Sequence, residues 1–258
     1  NVGAIANGVP AASAVFDLLG WLVGMAGFAS QYGPNLAVAA WLTIVLTVVS
    51  VLLGLVIAVP LAAARVYGRV TKYVALVYIE LVRGTPLVAQ LFLLYFGAPF
   101  LSQTIRQLPF VGRGIVPGQA VWIAIIGFTI NSSAYQAEYI RGAVESVDPG
   151  QLTAARAIGL DQVSGIRHVV LPQALRYAIP SWTNELVYLI KYSSLATFIT
   201  VPEIFRNAQS IGSSTFAYTN SYVLAAVFYL VLVVTATYGM AKVEDAVAIP
   251  GVGGGDGR

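Results

Sequence analysis

Long apolar runs alternate with short polar stretches along most of the chain. Five of these runs could cross a membrane as helices, because about 20 apolar residues span roughly 30 Å of hydrocarbon. They cover residues 36–64, 73–98, 119–137, 177–201 and 220–241. Residues 11–29 form a further apolar run, a candidate for a sixth span. The pattern predicts an all-α integral membrane protein, a bundle of five transmembrane helices, or six with the first run.

One polar segment interrupts this pattern between Ala137 and Arg176, where nine side chains are charged or titratable. Asp148 and Pro149 suit the N-cap and first turn of a helix, and Gly159 suits the residue just past its end. A short helix over 149–158 is therefore predicted. The side chains along it are small: Thr153, Ala154, Ala155 and Ala157. Another protein could approach its backbone closely, although an ordinary solvated loop is the alternative interpretation.

The basic residues of the loops predict the orientation. The loop at 65–72 and the polar segment hold seven basic side chains: Arg65, Arg69, Lys72, Arg141, Arg156, Arg167 and Arg176. The loops on the opposite side hold only Arg106, Arg113 and Arg206. Because cytoplasmic loops carry an excess of Lys and Arg, we expect the polar segment and the C-terminus to lie in the cytoplasm. The protein would then be a multi-pass protein of the cell membrane.

Composition supports a membrane protein, with 58% hydrophobic residues and 10% charged ones against about 25% charged in soluble domains. A net charge of +3 does not indicate a nucleic-acid-binding surface. The absence of cysteine and the single histidine, His168, exclude thiolate and histidine-cluster metal sites. The sequence also contains no G-x-x-x-x-G-K-[ST] phosphate loop. We therefore expect no cofactor or metal in this chain and no ATPase activity of its own.

Three regions are predicted along the chain. Residues 1–35 form an N-terminal segment with the candidate extra span, and residues 36–241 form the transmembrane domain with its cytoplasmic loop at 138–176. Residues 242–258, glycine-rich after Pro250, are predicted to be a flexible tail. The chain begins at Asn1 rather than at methionine, so we expect further residues upstream and do not assign a signal sequence.

Ionisable side chains inside the predicted spans are candidates for substrate contact, because charge at membrane depth is costly. Arg83 lies about 16 Å along a helix from Lys72, and Glu185 about 13 Å from Arg176, so both fall near the midplane. A cation and an anion at this depth match a zwitterionic amino acid. We expect Arg83 to bind its carboxylate and Glu185 its ammonium or a basic side chain.

Further polar residues could line the same path. Asn131, Asn184 and Lys191 are candidates, although interhelical hydrogen bonds explain the asparagines equally well and Lys191 could snorkel to the interface. Arg83 could also neutralise Glu80, its i,i+3 neighbour. Gly84 and Pro86 are predicted to interrupt the helix beside Arg83 and to free backbone groups.

The motifs of the polar segment carry a family resemblance. Thr153-Ala154-Ala155, Gly159 and Val169-Val170-Leu171-Pro172 follow the spacing E-A-A-x3-G-x9-I-x-L-P of ABC-importer permease subunits. Further runs resemble the polar amino-acid branch of that family: Ala134 to Glu138, Arg141-Gly142, Gly150-Gln151, Arg83 to Pro86 and Lys191 to Leu195. The chain departs from the motif where Thr153 replaces its leading glutamate, which affects any ATPase contact that needs a carboxylate there.

The resemblance implies a function and its partners. This chain would be the permease subunit of an importer for polar, including basic, amino acids, working by alternating access. The partners would be two ATPase subunits that bind ATP and Mg, a second permease subunit, identical or related, and an extracytoplasmic amino-acid-binding protein. The 149–158 helix would be the cytoplasmic coupling helix. The residues implied in coupling are Asp148, Gly150, Thr153, Ala154, Ala155, Gly159, Leu171 and Pro172. The alternative is a secondary transporter or channel without an ATPase, although the sequence shows no clear inverted repeat.

Overall fold

The computed structural model describes residues 11–109, 111–113 and 117–247. In this part of the chain every regular element is helical, as the apolar pattern predicts. The α-helices in chain order are α1 (Ala11–Tyr67), α2 (Thr71–Arg83), α3 (Leu87–Phe92), α4 (Pro99–Gln107), α5 (Gln119–Glu145), α6 (Pro149–Ala157), α7 (Gln162–Gly165), α8 (Leu171–Tyr192), α9 (Ile204–Thr215) and α10 (Tyr218–Val247). π-Helical turns at Leu93–Gly97 and Ile166–Val170 follow α3 and α7, and a 3₁₀ helix at Ser193–Ile199 follows α8.

Helix α1 is one continuous helix of 57 residues, about 85 Å long at 1.5 Å per residue. This corrects the predicted separation of 11–29 from 36–64, since the helix runs through Pro34. Proline removes one backbone donor, but side chains just before it pack firmly. The rings of Phe28 and Tyr32 lie 4.6 Å apart and contact a buried cluster shared with α9 and α10. This packing holds the helix together across the proline.

Two helices are long and apolar enough to cross a membrane within the described residues, Leu19–Tyr67 and Tyr218–Val247. A third candidate is the bent pair formed by α2 and Leu87–Gly97. Helices α5 and α8, also predicted as spans, are less apolar because α5 buries Ser132, Ser133 and Gln136 and α8 carries charged residues. The number of five spans therefore stays a prediction.

The C-terminal helix α10 continues to Val247. The start of the segment 242–258, predicted as a flexible tail, is therefore helical, because residues 242–247 contain no glycine or proline that would interrupt the helix. The rest of that segment, and residues 1–10 of the N-terminal segment, lie outside the described residues.

Helix α5 lies at the centre of the fold, packed against α1, α2 and α8. Polar bonds join it to α1, because Nε2 of Gln136 donates to the backbone oxygen of Val51 at 2.9 Å and Oγ of Ser50 donates to that of Ile125 at 3.3 Å. Gly54 permits this approach, since a Cβ there would lie 2.9 Å from Nε2 of Gln136. Small residues and hydrogen bonds of this kind hold membrane helices together, and they position the polar side chains of α5 described next.

Candidate functional site

Helices α2 and α3 meet at a sharp bend, where the two pieces of helix turn by 99°. Helix α2 ends at Arg83, and α3 begins after Gly84, Thr85 and Pro86. Pro86 has an extended backbone with ψ 136°, and it has no N–H to continue the helical hydrogen bonds. The interruption predicted beside Arg83 is therefore present, and it frees backbone groups of the kind that transporters use at binding sites.

The side-chain amide of Gln90 fills this bend. Its Nε2 donates to the backbone oxygens of Val82 at 2.7 Å and Thr85 at 3.1 Å, and to the Thr85 hydroxyl at 2.9 Å. Its Oε1 accepts a bond from Nδ2 of Asn131 at 3.2 Å. Gln90 thus satisfies oxygens freed by the break. Asn131 forms an interhelical hydrogen bond and also lines the cavity beside it.

A cavity of about 410 Å³ opens beside the bend. Its walls are residues 83–88, Asn131 and Tyr135 of α5, Tyr188 and Tyr192 of α8, and Leu195. Of these lining residues only Arg83 is charged, and the others offer hydroxyl, amide, backbone and apolar groups. The cavity therefore combines one fixed cation with uncharged polar groups, a lining suited to a small polar anion or zwitterion.

Arg83 is held by an aromatic ring and by a carboxylate. Its guanidinium carbon lies 5.2 Å from the centroid of the Tyr135 ring, within range of a cation–π interaction. Its Nη1 lies 3.9 Å from Oε2 of Glu138. The ion partner of Arg83 is therefore Glu138 and not Glu80, which is exposed. The i,i+3 alternative is wrong in this structure, because no Arg83–Glu80 ion pair is present among the described residues and α5 supplies the nearby carboxylate of Glu138.

Three tyrosines of the cavity are absent from the residues predicted from sequence. Tyr188 and Tyr192 lie one turn apart on α8 with ring centroids 3.9 Å apart, and their hydroxyls are hydrogen-bonded to each other. Tyr135 lies beneath Arg83. The available signal was the i,i+4 spacing of two tyrosines beside Lys191, but tyrosine in an apolar helix is also an ordinary packing residue.

The other predicted contact residues do not line this cavity. Glu185 is 1% exposed, and its carboxylate faces the hydroxyls of Ser132 and Tyr139 on α5. Asn184 and Lys191 are exposed on α8. The structure therefore brings together Arg83 and Asn131 and leaves these three apart from them.

The short helix predicted in the polar segment is present as α6. Oδ1 of Asp148 accepts a hydrogen bond from the backbone N of Gly150 at 2.7 Å, and Pro149 is the first helical residue. Gly159 follows the helix with φ +90°, the left-handed region that glycine adopts without strain. The predicted brackets of this helix are therefore confirmed.

One face of α6 is packed and the other is open. Ala155 is 3% exposed and packs near Gly165 of α7, where an added Cβ would lie 3.5 Å from Cβ of Ala155. Thr153 and Ala154 are exposed, and Ile158 is 80% exposed. The open face thus combines small side chains with one large apolar residue that nothing covers among the described residues.

The segment after α6 is fixed by local hydrogen bonds. Asp161 caps α7, accepting from the backbone N of Ser164 at 3.1 Å. Hydrogen bonds from the side chain and the backbone of Ser164 lower the pKa of Asp161 below its ordinary value. Leu171 and Pro172 then begin α8. The motif residues from 148 to 172 therefore lie on one compact helical unit that leads directly into α8.

Comparison with known proteins adds a family match. The family described as "Binding-protein-dependent transport system inner membrane component" matches residues 53–246 of this chain. The probable amino-acid ABC transporter permease protein YckA of Bacillus subtilis (strain 168) is 39% identical over 188 residues, which cover 72% of this chain and 77% of that protein. The glutamine transport system permease protein GlnP of Escherichia coli (strain K12) is 35% identical over 217 residues, which cover 84% and 94%.

A solved structure shares both the fold and part of the sequence. It is described as the crystal structure of an amino acid ABC transporter with histidines, and one of its chains is 32% identical to this chain with a TM-score of 0.72. The alignment covers 84% of this chain and 96% of that one. The match therefore extends over nearly the whole of the solved chain.

Proposed function

This chain belongs to the family of binding-protein-dependent transport system inner membrane components, and on that premise we propose that it is the permease subunit of an ATP-binding-cassette importer for polar amino acids. The observation that carries the proposal is the cavity beside the helix break, with Arg83 as its charged wall. The similarity to a glutamine permease and to an amino acid ABC transporter supports the same substrate class.

The cavity suggests how an amino acid would be held. The Arg83 guanidinium can bind the α-carboxylate through two parallel hydrogen bonds, and the faces of Tyr188 and Tyr192 can attract the α-ammonium. Asn131, which also lines the cavity, would contact the side chain of the substrate. Every amino acid shares the first two groups, so these contacts would serve binding in general and the remaining wall would select among side chains.

We propose that α6 is the coupling helix and that it docks on an ATPase subunit in the cytoplasm. Its exposed face, Thr153, Ala154 and Ile158, would enter a groove of the partner. Because Thr153 stands where the family motif has glutamate, the contact would be made by small and apolar side chains. Closure of two ATPases would move α6 and α8 together and expose the cavity to each side of the membrane in turn.

Other subunits complete this transporter. A second permease, identical or related, would face this one, and an extracytoplasmic binding protein would deliver the amino acid. ATP and Mg would be bound by the ATPase partner. The competing function is a secondary transporter or channel, which would need no docking helix.

Transport in proteoliposomes tests the proposal. The permease would be reconstituted with and without its ATPase and binding protein, and uptake of labelled L-glutamine, L-glutamate, L-arginine and L-leucine would be measured. We expect ATP-dependent uptake of one or more of the three polar amino acids and little uptake of leucine. Equal uptake without ATP would support the secondary transporter, and failure to transport any polar amino acid would contradict the substrate class.

The predicted substrate role of Glu185 is decided in the same assay. Because its carboxylate is buried against α5 and does not line the cavity, we expect Glu185→Gln to change uptake of arginine and glutamine by the same factor. Glutamine keeps the shape of the side chain and one acceptor oxygen, while an N–H donor replaces the second oxygen. A selective loss of arginine uptake would show instead that Glu185 turns toward a basic substrate during transport, the role predicted from sequence.

A further inference from the structure

The carboxylate of Glu138 lies where α1, α2 and α5 meet, and each of these helices brings an arginine to it. Its Oε1 lies 3.5 Å from Nε of Arg65. Its Oε2 lies 2.9 Å from Nη2 of Arg141 and 3.9 Å from Nη1 of Arg83. The Glu138 side chain is 13% exposed, so the charges of this group act on one another with little screening by water.

The three contacts differ in length, and Arg83 makes the longest. Nε of Arg141 donates to Glu138 at 3.0 Å in addition to the Nη2 contact, whereas Arg83 reaches the carboxylate only at 3.9 Å. The Arg83 side chain is 36% exposed and also lines the cavity. A guanidinium has five N–H donors, so Arg83 can face the cavity while it remains close to Glu138.

Glu138 is also linked to the segment that leads to α6. Nη1 of Arg141 contacts Oε2 of Glu145 at 2.6 Å, and Glu145 is the last residue of α5. Asp148, the cap of α6, follows three residues later. A line of ionic contacts along α5 therefore runs from the cavity wall to the end of α5, three residues before the cap of α6.

We propose that Glu138 is a positioning residue that holds Arg83 in the empty site and competes with the carboxylate of the substrate for it. This inference rests on the proposed function. An arriving amino acid would draw Arg83 from Glu138 into the cavity, while Arg65 and Arg141 keep the carboxylate in place. When the substrate leaves, Glu138 would take Arg83 back. Glu138 thus weakens binding and speeds release, since a ligand that must displace an internal partner loses part of its affinity.

The test separates affinity from turnover. Equilibrium binding of labelled L-glutamine, L-glutamate and L-arginine to the permease–ATPase complex in nanodiscs gives Kd, and amino-acid-stimulated ATP hydrolysis gives the maximal rate. We expect Glu138→Gln to lower the Kd about two- to five-fold, the value of a partly exposed ion pair, and to lower the maximal rate. A purely structural role would lower the amount of active complex and leave the Kd unchanged or raise it.

Glu145→Gln is the matched control. Glu145 also pairs with Arg141 and lies on the same helix, but it does not contact Arg83, so its loss should leave the Kd unchanged. If Glu138→Gln fails to fold because Arg65 and Arg83 lose their carboxylate partner, the double variant Glu138→Gln, Arg65→Gln restores the charge balance and should show the same lower Kd. An unchanged or higher Kd in the folded variant overturns the inference. The proposed function fails separately, if the unaltered complex binds and transports none of these amino acids.

Discussion

Arg83→Lys will leave the protein folded and inserted but will weaken the binding of every amino acid by a similar factor. Lysine keeps the positive charge, but its point charge cannot make the two parallel bonds of a guanidinium. Losing one charged hydrogen bond costs on the order of 1–3 kcal/mol, which corresponds to roughly a 5- to 150-fold rise in Kd. Equilibrium binding of the labelled amino acids to the complex in nanodiscs measures this change.

Two variants separate carboxylate binding from simple charge balance. Arg69→Lys, in the exposed loop before α2, makes the same substitution away from the cavity and should bind normally. The double variant Glu138→Gln, Arg83→Gln removes both members of the pair. If it transports amino acids normally, Arg83 only neutralises Glu138, and the carboxylate role of Arg83 is wrong.

Gly159→Val will abolish coupling between substrate and ATP hydrolysis while membrane insertion stays normal. Gly159 has φ +90°, and an added Cβ would meet nothing within 4 Å, so the obstacle is the backbone conformation alone. A β-branched residue in that region costs about 1–3 kcal/mol. The turn after α6 would change and move the exposed face that is proposed to dock on the ATPase. Substrate-stimulated ATP hydrolysis and uptake in proteoliposomes should both fall at least tenfold.

Two further substitutions test the geometry. Gly159→Asn should retain much of the activity, because asparagine tolerates positive φ better than other residues. Gly142→Ala, on α5, also has open space around the added Cβ but ordinary helical geometry, and it should be neutral. If the Gly159→Val variant still stimulates the ATPase normally, the proposal that α6 docks on the ATPase is wrong.

Local signals were sufficient for the two breaks in the helical pattern. The bend after Arg83 follows from Gly84 and Pro86, and the start of α6 follows from Asp148 and Pro149, because a cap or a proline acts on the next turn of its own helix. Gly159 ends α6 because glycine adopts the positive φ of the residue that follows a helix. These features are therefore readable from a single sequence.

Contacts between helices were not readable in this way. The pairing of Arg83 with Glu138 depends on the side-by-side packing of α2 and α5. The two residues lie far apart in the sequence, so their spacing does not predict the contact. The continuity of α1 through Pro34 depends on packing against α9 and α10. Glu185, predicted from sequence to contact substrate, is buried beside Ser132 and Tyr139 of α5. Each outcome was decided by a neighbouring helix.

Gln90 limits where the protein can flex. Both the donors and the acceptor of its amide are engaged, with Val82 and Thr85 on one side and Asn131 on the other. Straightening the bend would break these bonds together and expose unpaired groups to an apolar surrounding, which is costly. The hydrogen bonds of Gln90 therefore make the bend rigid, so it does not act as a hinge. During transport we therefore expect the cavity wall around Arg83 to move as one block with α5, with the pivot elsewhere in the bundle.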